Sequence, residues 1–291
     1  MPVPDPVTFV RRATSATVRG LFRAPAVGPP TVTGDAGLFG PDSVTWRVHS
    51  HLSVLVGGIR ALLVQTLHPL AMAGVAQHSQ YRTDPLGRLG RTATFVATTT
   101  YGTTADADHA IAAVRGIHDR VCGVASDGRA YAANDPELLA WVHHVEVQSF
   151  LLAYQRIGPG LRSDEADRYV AEMAQLGARL GVRESLTSAA GLHDWVRYHP
   201  DQRATPDARA AVRFLTWPAL PIAARGPYAI LLGGAISLIP LRQRLTLGLL
   251  IPGPVTGRVV SEPAARVLVD ALGWTLGPSP ALQHAHARLD P

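Results

Sequence analysis

A chain of 291 residues, 47% hydrophobic and only 17% charged, excludes a largely disordered protein and points to one large domain with much of its length buried or facing lipid. The net charge of +5 comes from 27 basic residues that are all Arg. They are scattered rather than gathered into a stripe and no reading motif accompanies them, so no nucleic-acid partner is expected. The lone cysteine, Cys122, excludes intramolecular disulfides and Cys-based zinc sites.

Residues 1–40 are rich in Pro, Gly and Thr and read as a partly irregular arm with one short basic helix. The N-terminus lacks the continuous apolar core of a secretory signal, so a cytoplasmic location is expected. Asp42 or Ser43 is placed to cap a helix through Val54 and Leu63 to about Leu67, and His68-Pro69 breaks or kinks it. Helical patterning resumes over 70–78, and Asp84-Pro85-Leu86-Gly87 reads as a turn. Residues 88–101, rich in β-branched side chains, fit helix or strand equally.

Asp106 reads as the cap of an amphipathic helix through Ile111 and Val114 to Val121, closed by Gly123. Asn134 or Asp135 ahead of Pro136 opens the best helix of the chain, ending at Gly158. Ser163 caps another that closes at Leu180-Gly181, and shorter helices follow Leu186. Residues 226–241 form an uncharged run too short to span a bilayer. They read as a buried core helix rather than one lying in a membrane interface, leaving peripheral membrane contact as the alternative. Residues 276–291 read as a disordered tail. With no fixed-period repeat, the whole is all-α, one multi-helix domain over 41–275.

Much chemistry is excluded. There is no Lys for a Walker motif, no G-x-G-x-x-G, no H-E-x-x-H, no G-x-S-x-G and no E-x-x-H of a di-iron bundle. His143 and Glu146 form a reversed pair that reads as a core or surface polar pair. His109, His193 and His199 lie near helix ends and are expected to be solvated. His118 differs: with Val114, Ile117, Val121 and Cys122 it falls on or beside an apolar helical stripe. There it is either a satisfied core residue or a ligand, and haem iron takes a neutral imidazole presented from a rigid element into an apolar pocket. Arg88 and Thr92, four apart with Arg91 adjacent, suit a haem propionate or bound oxygen if helical, or else a solvated turn.

Taken in order, the motifs QTLHPLAMAGV (65–75), HSQYRTDPLGRLGRT (78–92), FVATTTYG (95–102), IHDRVCG (117–123) and DPELLAWVHHVEVQSFLLAYQRIG (135–158) resemble the catalytic core shared by MpaB-type oxygenases and the latex-clearing rubber oxygenases. Asp167-Arg168-Tyr169 with Glu172, and Pro240-Leu241-Arg242, are similar but weaker. The resemblance implies a globin-like helical fold holding haem b, with His118 as the proximal iron ligand and Arg88 and Thr92 near the haem. Where some latex-clearing enzymes have a lysine available as distal ligand, this chain has Arg91, which cannot ligate iron. The catalytic glutamate of the rubber enzymes has no counterpart either, since the preceding helix carries Gln65, His68 and Met72. These departures imply an oxygenase or peroxidase acting on a small lipophilic molecule, with oxygen or peroxide, rather than polyisoprene. His68 and His78 are second candidates; ten residues apart, they point roughly 80° from each other on a straight helix, so one is expected to be a distal or hydrogen-bonding group. Two rival readings remain. One is a metal-dependent phosphohydrolase built on His118-Asp119 and His193-Asp194 with His51, His68 or His78; the other is a non-catalytic haem carrier.

Overall fold

In the computed structural model, which describes residues 33–184 and 186–289, helix ends are set by side chains that the sequence supplies locally. The basic helix expected within the first residues lies outside that range. Ser43 caps α1 (Val44–Ser50), its Oγ accepting from Trp46 N at 3.1 Å. Glu172 completes the cap from across the fold, accepting from Val44 N at 3.2 Å and Thr45 N at 2.8 Å, where a carboxylate opposes the positive end of the helix dipole. The single helix expected here is two, because the His51 ring accepts Ser53 N at 3.2 Å and turns the chain before α2 (Val54–Gln65) begins.

The break at His68-Pro69 is present. The His68 ring accepts from Ala71 N and caps α3 (Pro69–His78), which leaves α2 at 104°. Asp84 caps α4 (Pro85–Tyr101) by accepting from Gly87 N at 3.0 Å, so the expected turn at 84–87 is the first turn of a helix. The β-branched stretch is helical too, with Thr94 and Thr99 donating back to the Gly90 and Phe95 carbonyls. α5 (Thr104–His118) opens with a capping box in which Thr103 is the cap and Asp106 its partner one turn in. It ends at His118, short of Val121, because β1 (Cys122–Val124) pairs antiparallel with β2 (Ala130–Ala132).

α6 (Pro136–Arg156), capped by Asp135, is buried on almost every side and forms the axis of the core, with Trp141, Val145 and Ala153 fully enclosed. Around it stand α2, α7 (Ser163–Leu180) and α8 (Ala189–Tyr198). The chain continues through α9 (Pro206–Thr216), α10 (Ile222–Ser237) and α11 (Leu241–Leu247). α12 (Pro254–Thr256) runs through a π-helical turn, Gly257–Ser261, into α13 (Glu262–Leu276), and α14 (Pro280–Leu289) follows.

Two expectations are corrected here. The uncharged run is split: Leu231, Ala235 and Ile236 are buried, whereas Gly226, Ala229 and Ile230, earlier on α10, are exposed. Residues 280–289 of the expected tail form α14, where buried Arg288 donates Nε to Asp35 O at 2.6 Å and a terminal nitrogen to Tyr101 O at 3.0 Å. His286 meets the Trp46 ring edge-on at 5.4 Å. The all-α reading holds, with one two-stranded hairpin among the described residues.

α2 and α6 touch most closely at Gly57, where an added Cβ would stand 2.7 Å from Phe150 Cδ1 and 3.0 Å from Phe150 Cα and Ser149 O. Beside it, Gly58 has nothing within 4 Å of the same position. Gly57→Ala is therefore expected to destabilise by about 1–3 kcal/mol through overpacking. Gly58→Ala should stabilise by roughly 0.5–1 kcal/mol through helix propensity alone. Urea midpoints of the two variants measured side by side check the opposite signs; equal shifts would show that the helices can slide apart at this point.

Candidate functional site

α4 and α5 form a helical hairpin turned at Gly102-Thr103. Arg88 lies thirteen residues before the end of α4 and His118 fourteen after the start of α5, so at about 1.5 Å per residue both stand about 20 Å from the turn, at the open end of the hairpin. The closed end is tied down: Asp35 accepts from Thr104 N at 2.8 Å and Thr104 Oγ1 at 2.9 Å, and Arg288 holds the Tyr101 carbonyl.

The open end is different. His118 is half-buried, and its Nδ1 is enclosed without a hydrogen-bond partner among the described residues. Burial pushes the ring below the usual histidine pKa, and Asp119 opposes that shift, so the imidazole is neutral near pH 7. Arg88 is half-buried with its guanidinium 6.0 Å over the Tyr81 ring. It has no ion pair among the described residues, and burial, with the charge of Arg91, lowers its pKa against the opposing effect of Tyr81. His78 is exposed at the same end, its Nε2 3.1 Å from the carbonyl of Cys122, four residues beyond His118.

Other candidates stand apart. Thr92 is exposed one turn beyond Arg88 and donates to the Arg88 carbonyl at 3.2 Å. Arg91 is 63% exposed and pairs with Asp84 at 3.2 Å. His68 is buried about 15 Å from His78 along α3. One of its nitrogens serves the helix cap and the other lies 3.9 Å from Asp201. It belongs to an aromatic cluster in which Trp141 and His199 lie 5.7 and 5.4 Å from its ring, and burial, with His199, pushes it down to about 4. His199, expected to be solvated, packs between Trp141 and Trp195 at 4.8 and 4.7 Å. His193 is also half-buried, facing Gln148.

A group absent from the sequence-based candidates is Glu146. It sits on α6 deep enough that burial alone pushes its carboxyl up to about 7. It nevertheless keeps some open surface and has no hydrogen-bond partner among the described residues. Its charge, after burial, raises the phenol of Tyr169. Tyr169 lies 3.0 Å from His49 Nε2, and His49 Nδ1 lies 2.8 Å from Thr100 Oγ1. A polar chain thus runs from the end of α4 through α1 to α7 and stands by an interior carboxyl. The signal was present in WVHHVEVQSFLL: a Glu on a helix apolar on all sides has no solvated face to occupy.

Among the described residues no three His, Cys, Asp or Glu side chains gather to hold a metal ion. His118 and His193 lie on separate helices, and the ligand set of a phosphohydrolase is not formed. One imidazole from the protein is enough for haem iron. A cleft of about 280 Å³ lies between the N-terminal ends of α1 and α7, lined by Ser43, Arg47, Arg162, Glu165 and Arg168. It is a solvated ion-pair cluster, with Arg47 2.8 Å from Glu165. α5 meets the other end of α7, where Arg115 donates to the Arg179 carbonyl, so this cleft is separate from His118.

No curated protein and no solved structure matches the chain. A family model described as the catalytic domain of ER-bound oxygenase mpaB/B′ and rubber oxygenase matches residues 46–276. That span runs from within α1 to the end of α13 and contains the whole open end of the hairpin. The chain belongs to the mpaB/rubber oxygenase family.

Proposed function

We propose that the protein is a haem b-dependent oxygenase acting on a small lipophilic molecule, with His118 as the ligand to iron. The observation that carries this reading is the pairing, at one end of the α4–α5 hairpin, of a neutral imidazole with an enclosed, unpartnered nitrogen and a half-buried guanidinium without a counter-ion. Buried polar groups left unpaired are costly unless something completes them. An iron porphyrin would take the His118 imidazole at iron and the Arg88 guanidinium at a propionate. Haem b, when bound, supplies a redox iron able to activate oxygen or peroxide.

The chain's own residues supply the rest. Arg88 holds its charge when half-buried because guanidinium does not deprotonate near neutral pH, and the Tyr81 face orients it. Arg91, held outward by Asp84, and exposed Thr92 and His78 stand at the rim. His68, capping α3 inside the aromatic cluster, positions the helix that carries His78. Glu146 is the interior group that gains and loses a proton near neutral pH, the range in which acid–base assistance is most effective. The departures from the rubber-cleaving pattern at Gln65, Met72 and Arg91 support a smaller substrate than a polymer.

His118→Ala should abolish the Soret band of protein produced with haem while leaving far-ultraviolet circular dichroism unchanged, since the cavity costs about 1–3 kcal/mol against a typical stability of about 5–15 kcal/mol. Arg88→Ala should weaken haem retention about tenfold or more, whereas Arg209→Ala, at an exposed site, should not. A normal Soret band in His118→Ala together with its loss in His78→Ala or His68→Ala would transfer the ligand role to that histidine.

Glu146 gives a pH signature. Its carboxyl titrates at about 7 in the folded chain against 4.5 when unfolded. Between those values the folded state retains a proton that the unfolded state has released, so this group makes stability fall as pH rises from about 4.5 to 7 and leaves it lower above that. Glu146→Gln should therefore gain stability relative to the parent at pH 8 but not at pH 4.5. Urea midpoints that differ by the same amount at both pH values would show that Glu146 ionises freely.

A further inference from the structure

Between Asp207 and Glu262 the chain has no carboxylate, yet six Arg fall in that stretch: 209, 213, 225, 242, 244 and 258. Arg244 is buried and the other five are exposed. None of those five makes an ion pair among the described residues. Elsewhere on the surface Arg47, Arg129, Arg162 and Arg179 are each paired with an Asp or Glu, while Arg82, Arg120, Arg197 and Arg266 are exposed without one among the described residues; what sets this stretch apart is that it holds no carboxylate at all. The same stretch carries much of the exposed apolar bulk, including Trp217 at 84%, Ile222 at 83% and Ile251 at 84% exposure.

Part of this stretch is drawn together in the fold. The backbone at Gly257 lies against Ser237 and Pro252, and Ser261 lies by Gly233, so the segment 250–261 packs along α10. Leu241 and Leu245 stand one turn apart on the exposed side of α11, with Arg242 beside them. Among the described residues no single helix is long and apolar enough to cross a membrane.

We propose that this face, made by the first half of α10, the outer side of α11 and the segment 250–261, docks on a bilayer surface that contains anionic lipid. Guanidinium groups without carboxylate partners match lipid phosphates in geometry and charge. The apolar side chains between them enter the boundary between headgroups and acyl chains. A second copy of the chain fits poorly, because a two-fold contact would set one carboxylate-free, Arg-bearing face against another. A lipophilic substrate held in a membrane would reach the protein from this side, but the docking argument does not depend on the haem assignment.

The test is flotation of the full-length protein with vesicles of phosphatidylcholine alone and of phosphatidylcholine with about a quarter phosphatidylglycerol. Partitioning should be about tenfold or more stronger with the anionic vesicles and should fall with added salt. The variants Ile251→Asn/Val255→Asn and Arg225→Gln/Arg242→Gln/Arg258→Gln should each lose about tenfold in partitioning, with unchanged circular dichroism and elution volume. The proposal fails if the parent protein floats with neither vesicle, or if both variants bind as the parent does. It also fails if the parent elutes as a dimer that Ile251→Asn/Val255→Asn dissociates, since the face would then join two copies.

Discussion

Arg60 stays inside the core only because α2 and α6 approach closely enough for three neutral oxygens to reach it. Fully buried, it donates to the Leu238 carbonyl at 3.2 Å, Ser149 Oγ at 2.6 Å and Gln148 Oε1 at 2.7 Å. No carboxylate shares the site among the described residues, and burial pushes the guanidinium down to about 9. A cation held this way depends on every acceptor being in place, because losing one leaves part of a buried charge uncompensated. Glycine at 57 permits that approach, and Gln148 extends the network to His193 on α8 at 3.3 Å. α2, α6, α8 and the end of α10 are thereby fixed to one charge.

The α4–α5 hairpin shows what the frame makes possible. Its closed end is well supplied with partners, Asp35 on Thr104 and Arg288 on the Tyr101 carbonyl. At its open end, the His118 nitrogen and the Arg88 guanidinium lack partners that folding alone could have provided. Glu146 repeats the pattern deeper in the interior, with His49 and Tyr169 satisfied by each other while the carboxyl is not.

Features of the fold that depend on adjacent residues were legible in the sequence, and those that depend on distant ones were not. Asp135 before Pro136 and His68 before Pro69 act within one turn, so those helix starts were readable. The split after Ser50 was not, because the His51 ring that causes it also reads as one more helical residue. β1 and β2, three residues each, are too short to show an alternating period. α14 looked like a tail because the partners of Arg288, Asp35 and Tyr101, come from far back in the chain. His118, Arg88 and His78 were readable as candidates, but that His68 lies in a separate aromatic cluster is a consequence of packing. Glu146 was hidden because its spacing from His143 reads as an ordinary polar pair, whereas its burial on α6 depends on how the neighbouring helices pack.

The absence of Lys affects more than the net charge. Arg60 and Arg244 are enclosed, and Arg88 partly so; an ammonium in such surroundings would tend to lose its proton, whereas a guanidinium remains charged and offers five donors in a fixed plane. Arg244 shows the consequence at the proposed docking face. Its Nε donates to the Leu249 carbonyl at 3.2 Å, and a terminal nitrogen donates to the Leu250 carbonyl at 3.3 Å and to that of Pro252. Drawing these carbonyls toward one buried centre holds the backbone inward through the segment, while the side chains of Leu250 and Ile251 are exposed. Where an ammonium would gather its donors on one nitrogen, the guanidinium spreads them along a plane, and Arg244 in this way ties three backbone carbonyls of the segment that presents Leu250 and Ile251 outward.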